Sequence, residues 1–172
     1  MITVKQQRPA QSQEKWVLDC HLKTREDVDW KFVYQAPVKY IKSTKLITFQ
    51  FKLFHRRLAT NDFLKKIGLK QSDICTFCEL EIESLIHLFW SCSVTSSFWR
   101  DFKGWITDNL DNVTILENIN LDAAIALGLR PNLFHKQIYL YFLLARYFIW
   151  ICKTQGKAPK LENFLSFSTL FI

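Results

Sequence analysis

Cys75-Thr-Phe-Cys78, followed by Glu79-Leu-Glu-Ile-Glu-Ser-Leu-Ile86 and His87-Leu-Phe-Trp-Ser-Cys92, gathers three of the chain's five cysteines and one of its four histidines. The spacing is Cys-x2-Cys-x8-His-x4-Cys. A two-residue gap lets both thiolates of a tight turn face one ion, the usual first half of a structural zinc site. His87 is expected from a helix covering about Ile82 to Ser91. Cys92 falls about 140° further round an ideal helix, too far to share the face of His87. The set closes only if that helix ends near Ser91 and the chain curls back, placing Cys92 at or just past a helix C-terminus. Zn²⁺ suits these donors because it takes sulfur and nitrogen tetrahedrally without ligand-field preference. Three thiolates and an imidazole leave no position open for water, so one structural ion is expected. A redox Cys-x-x-Cys or a set of isolated thiols are the competing readings, and neither needs His87 and Cys92 at ligand spacing. Cys20 and Cys152 read as core thiols, and His21, His55 and His135 have no partners at ligand spacing.

Outward from this window the chain reads as helices. Its 172 residues are one domain's worth, 49% hydrophobic and 23% charged, with only four Gly and four Pro. So few backbone breakers disfavour sandwiches and barrels, which need many tight turns. Fifteen Phe and six Trp predict an aromatic core. The expected fold is mainly α, a small helical domain with a structural zinc knuckle between helices and a C-terminal helical tail. Residues 1–37 read as a polar, partly disordered junction closed by Pro37, residues 38–110 as the zinc-binding helical domain, and 111–172 as the tail packing on it.

Within 38–58 the periodicity is helical, with Ile47, Phe51, Phe54 and Leu58 on one stripe and Lys42, Lys45, Lys52 and Arg56 opposite. Leu46, Phe49 and Leu53 lie close to the basic arc, so both sides of this helix are expected to be covered. Thr60 or Asn61 is placed to cap a short helix ending at Gly68. Another helix fits Ser93 to Leu110, and residues 111–130 are ambiguous. Pro131 opens a long helix to about Thr154, stopped at Gly156, and a last amphipathic segment follows Pro159. The apolar run Ile138 to Cys152 carries Arg146 and is too short to span a bilayer, so it reads as a buried helix with no membrane role. Met1 to Pro9 lacks the apolar region of a signal peptide, which points to the nucleus or cytoplasm.

Charge is segregated. Residues 39–70 hold nine basic residues against the single acid Asp62, while 71–117 hold two basic against eight acidic; the whole chain carries +7. A basic block is what a phosphate backbone seeks, since each Lys or Arg contact releases condensed counterions. A solvated helix face is the plainer reading. The candidates for phosphate contact are Lys42, Lys45, Lys52, Arg56, Arg57, Lys65 and Lys66.

Three stretches together resemble a known module: Lys52-Leu-Phe-His-Arg-Arg-Leu-Ala-Thr-Asn-Asp-Phe-Leu64, Glu83-Ser-Leu-Ile-His87-Leu-Phe-Trp-Ser-Cys92 with the preceding Cys75-Thr-Phe-Cys78, and Phe98-Trp99. They are similar to the zinc-binding domain C-terminal to the reverse transcriptase of non-LTR (LINE-type) retrotransposons. That family shows Leu-x-Thr-x-Asp-x-Leu, Cys-x-x-Cys, Glu-Ser/Thr-x-x-His, a later Cys and a closing Trp. The resemblance implies zinc on Cys75, Cys78, His87 and Cys92, with Glu83 and Trp99 structural; Ala59 stands where many relatives have Pro. It further implies a fragment or stand-alone remnant of an element's polyprotein that grips RNA or DNA, with the element's own reverse transcriptase polypeptide as a possible partner. No Tyr-x-Asp-Asp is present, so two-metal nucleotide transfer is not expected of this chain. The alternative is a zinc-braced interaction module whose basic block docks an acidic protein surface. A nuclease using His55 or His87 would need an open metal position that the closed ligand set does not offer.

Overall fold

Trp16 and Phe54 lie far apart in sequence, yet the indole N–H of Trp16 donates to the Phe54 carbonyl at 3.0 Å and ties the first helix to the third. The computed structural model describes residues 11–110 and 120–171. Among them the helices are α1 (Gln11–Asp19), α2 (Trp30–Tyr40), α3 (Thr44–Phe54), α4 (Asn61–Lys66), α5 (Ser93–Asn109), α6 (Ala123–Ala126), α7 (Lys136–Gln155) and α8 (Leu161–Ser168). Short 3-10 turns cover Arg25–Asp27 and Pro131–Leu133. Backbone pairing across strands is limited, among these residues, to one antiparallel bridge between Ile74 and Ile82. The chain is mostly helical, as its composition implies.

The N-terminal third differs from its sequence reading. Residues 11–37 include α1 and most of α2; residues 1–10 lie outside the described residues. The carboxylate of Asp29 accepts the Phe32 N–H at 3.0 Å and starts α2. Pro37 does not close this helix but sits buried inside it, and Ile41 N–H still reaches the Pro37 carbonyl. A proline removes its own donor and crowds the carbonyl four residues back, and here it stands in the last turn, with only Val38, Lys39 and Tyr40 of the helix beyond it. The boundary drawn at residue 37 therefore falls within α2, and the break comes at Ile41 to Ser43.

The long apolar helix is the centre of the core. From Ile138 to Ile149, α7 is buried at every position except Leu140. It packs on α3 through Phe49 and Tyr147, whose ring centroids lie 5.1 Å apart. On its other side Phe98, Trp99 and Phe102 of α5 and Phe164 of α8 close an aromatic cluster, and Phe164 is fully buried. Gly156, at φ +64°, ends α7 in the left-handed conformation that costs glycine least. No helix among the described residues is long and apolar enough to cross a membrane.

Arg146, in the middle of α7, is wholly buried. Its Nε donates to the Gln50 side chain and one terminal nitrogen to the Ala126 carbonyl, both at 3.0 Å. Burial lowers its pKa to about 10 and raises that of neighbouring Tyr139 to about 12. Gly128 makes room for it: at φ +81°, a Cβ there would stand 2.8 Å from the guanidinium.

Candidate metal centre

The knuckle begins as a pinned loop. Cys75 N–H donates to the Glu81 carbonyl and Glu83 N–H to the Asp73 carbonyl, each at 2.8 Å, closing the two arms around the Ile74–Ile82 bridge. At its tip Glu79 takes φ +56°, and its N–H returns to the Cys75 carbonyl. The reversal leaves the amide of Phe77 donating to the Cys75 sulfur at 3.4 Å, so both cysteines of the turn face inward.

The second half of the site depends on a departure from α-helical geometry. The expected helix from Ile82 is shorter: only Leu85 and Ile86 are α-helical, and His87–Ser91 form a π-helical turn. Cys92 N–H bonds the His87 carbonyl five residues back at 2.9 Å. An i→i+5 turn brings Cys92 over His87, which the α-helical 140° does not. Cys92 thus sits just past a helix C-terminus and is also the N-cap of α5. A π-turn leaves carbonyls without their helical donors, and α5 supplies replacements. The Thr95 hydroxyl donates to Leu88 at 2.8 Å and the Trp99 indole to Phe89 at 2.7 Å. Trp99, expected as core, is therefore also a fastener of the ligand-bearing turn; Thr95 has no sequence signal of its own.

The four donor atoms lie within 4.8 Å of one another. The sulfurs of Cys75 and Cys92 are 3.9 Å apart, and the Cys78 sulfur is 3.4 Å from Nε2 of His87. With Zn–S near 2.3 Å and Zn–N near 2.0–2.1 Å, tetrahedral edges come to about 3.8 Å for two sulfurs and about 3.6 Å for sulfur and nitrogen. The cluster fits one structural zinc ion. Nδ1 of His87 lies 3.5 Å from the Glu81 carboxylate, which leaves Nε2 toward the sulfurs, the usual outer support of a ligating imidazole. The hydrogen bond from the Cys75 S–H favours the Cys92 thiolate and lowers its pKa. The amides of Thr95 and Val94 at the start of α5 add to that. The same shared proton, with burial, pushes Cys75 up.

A polar network seats the knuckle on the helices. Glu83 is fully buried, and its two oxygens accept the Asn61 amide at 2.9 Å and the Thr76 amide at 2.7 Å. Lys153 of α7 stands 3.5 Å from the same carboxylate and donates to the Ala59 carbonyl at 2.8 Å. The Asn61 side chain donates to the Ile74 carbonyl at 2.6 Å. One acid thus joins the knuckle, the start of α4 and α7. Asn61 and Lys153 gave no sign of this in the sequence, because their partners are brought together only by the fold.

The basic candidates separate by environment. Arg56, at φ +56°, is ion-paired to Asp19 at 2.7 Å and covers the Trp16 ring. Lys65 pairs with Asp73 and Lys66 with Asp62. Lys42 is exposed at the α2–α3 break. Lys45, Lys52 and Arg57 line one groove of about 480 Å³ between α3 and α7, whose floor includes Phe49, Tyr147 and Trp150. His55 packs against Phe51 and stacks on Tyr34. Cys20 and Cys152 pack in or against the core, where burial raises their pKa to about 12 and about 11.

Residues 11–99, more than half of the chain, match the family described as zinc-binding in reverse transcriptase. The chain belongs to that family. The matched span reaches from α1 to Trp99, so this reverse-transcriptase zinc-binding domain includes the N-terminal helices as well as all four ligands. Among curated proteins no relative matches it.

Proposed function

We propose that this chain is the non-catalytic C-terminal zinc module of a non-LTR (LINE-type) retrotransposon reverse transcriptase, and that it grips the phosphate backbone of RNA or DNA. The observation that carries this reading is the groove between α3 and α7. Lys45, Lys52 and Arg57 stand on its walls, and no acidic side chain among the described residues lines it. Arg57 also borders a second depression with Lys15 and with the Lys66–Asp62 pair. The zinc site supports a bracing role, because its four ligands fill a tetrahedral shell. The non-LTR assignment draws on the motifs from Lys52 to Trp99.

The test is the salt dependence of binding to single-stranded RNA by the zinc-loaded chain. Three phosphate contacts correspond to a slope of log affinity against log salt of about −2, and losing one contact lowers its magnitude by about 0.7. Lys52→Ala and Arg57→Ala should each weaken binding without regard to sequence and flatten the slope. The second reading, docking of the basic block on the reverse transcriptase polypeptide or another acidic partner, draws on the same Lys45, Lys52 and Arg57. It predicts no nucleic-acid binding by the isolated chain.

A further inference from the structure

The groove holds more than charge. Thr44, Thr48 and Lys52 succeed one another at i, i+4 and i+8 along α3, forming a polar wall. Opposite them α7 presents Tyr147 and Trp150, one turn apart. Tyr147 is buried under the Lys45 ammonium, 5.6 Å from its ring centroid, and belongs to the floor. Trp150 differs from the structural tryptophans. The indole N–H groups of Trp16, Trp30 and Trp99 are spent on backbone carbonyls. Those of the half-buried Trp90, Trp105 and Trp150 find no partner among the described residues, and of these three it is Trp150 that lines the groove. The Trp150 ring packs on no other aromatic ring among the described residues. Lys153, which lines no part of the groove, stands 5.2 Å from the ring centroid and is itself held by Ala59 and Glu83. The indole is therefore a positioned aromatic surface with a spare donor, beside Lys52 and Arg57.

We propose that this groove takes one unpaired base of a single-stranded nucleic acid, stacked on Trp150, with the adjoining phosphates on Lys52 and Arg57. The inference rests on the phosphate-binding reading above and adds to it the form of the strand. A duplex offers phosphates to the lysines but keeps its base faces stacked inside; only an unpaired base can offer a face to the indole. Every base has such a face, so the groove selects for single strands without selecting a sequence. Its volume lies within the range of about 300–1,000 Å³ that encloses small ligands.

The experiment uses the zinc-loaded 172-residue chain, a labelled single-stranded oligouridine, and an RNA duplex of equal length. Affinities are taken by anisotropy and tryptophan emission is followed during the titration. The wild type should prefer the single strand. Trp150→Ala should cut that preference by about five- to hundredfold, the contribution of one stacked base, while the salt slope stays, since Trp150 carries no charge. Trp150→Phe, which retains an aromatic face, should recover most of it. Zinc content and helical circular dichroism report folding of both variants, and if Trp150→Ala fails them, Trp150→Phe against Trp150→Leu makes the same comparison. Equal preference in wild type and variant, or equal loss on both substrates, overturns the stacking proposal. If it fails in that way while Lys52→Ala and Arg57→Ala still weaken binding, the phosphate reading stands alone. If the wild type binds neither strand form, both fall and the protein-docking reading replaces them.

Discussion

The knuckle and the aromatic core are held together by different forces in adjoining parts of one chain. From Asp73 to Glu83 the knuckle exposes Ile74, Leu80 and Ile82, and its order comes from backbone bonds, the buried Glu83 carboxylate and the four ligands. The core of α5, α7 and α8 buries Phe98, Trp99, Phe102, Phe142 and Phe164 against one another, ring on ring. A loop that cannot bury enough apolar surface is stabilised by ligation, whereas a long apolar helix is stabilised by the water it excludes. The two meet at Cys92, at once the last ligand and the N-cap of α5, and at Lys153, which reaches from α7 to Glu83.

The largest expected effect breaks the comparison on the knuckle side. In isolated zinc-finger peptides a structural ion contributes on the order of 10 kcal/mol, comparable to the whole stability of a domain. Cys75→Ser is expected to abolish stoichiometric zinc, measured by elemental mass spectrometry, and to unfold at least the knuckle and the start of α5, seen as lost helical circular dichroism. A Cys75→Ser chain that melts at the wild-type temperature in the presence of zinc would show that the ligand set does not hold the fold.

On the core side, Phe98→Ala removes a ring that meets Trp99, Phe102, Phe148 and Phe164. The expected cost is about 3–5 kcal/mol, read as a lowered urea midpoint, with one zinc per chain retained below the transition. Zinc lost in parallel with native helicity before global unfolding would mean that core and knuckle cannot be separated. The smallest effect sharpens the junction. Glu83→Gln keeps the shape but removes the charge facing Lys153 and one of the two acceptors, an expected loss of about 1–3 kcal/mol. Combined with Lys153→Met, the loss should be less than additive, because the two side chains share one contact.

Much of this is legible in the sequence. Cys75, Cys78, His87 and Cys92 are distinctive because a metal demands particular donors at particular spacing. Gly156 marks the end of α7 through a left-handed geometry that few other residues adopt. Pro131, expected to open that helix, opens only the 3-10 turn Pro131–Leu133, and α7 starts at Lys136 behind His135. The predominance of helix follows from sparse Gly and Pro and from apolar periodicity.

Other features were decided only by tertiary contact. The stripe Ile47, Phe51, Phe54 and Leu58 is as regular as any in the chain, yet α3 buries Leu46, Phe49, Gln50, Leu53 and Phe54 and leaves Phe51 57% exposed. Periodicity describes which residues share a face, not which face a neighbour will cover, and here α7 arrives on the side of Phe49 and brings Arg146 to Gln50. The π-turn at His87–Ser91 is equally invisible locally, because its freed carbonyls are satisfied by Thr95 and Trp99 from the next helix. The seven basic candidates are alike in sequence, but folding gives Arg56, Lys65 and Lys66 acidic partners and sets Lys45, Lys52 and Arg57 around an aromatic groove. Ligand identity and helix ends are local chemistry and can be read from the chain. The choice of buried face, the partner of each charge and the neighbours of Trp150 are properties of how the helices meet.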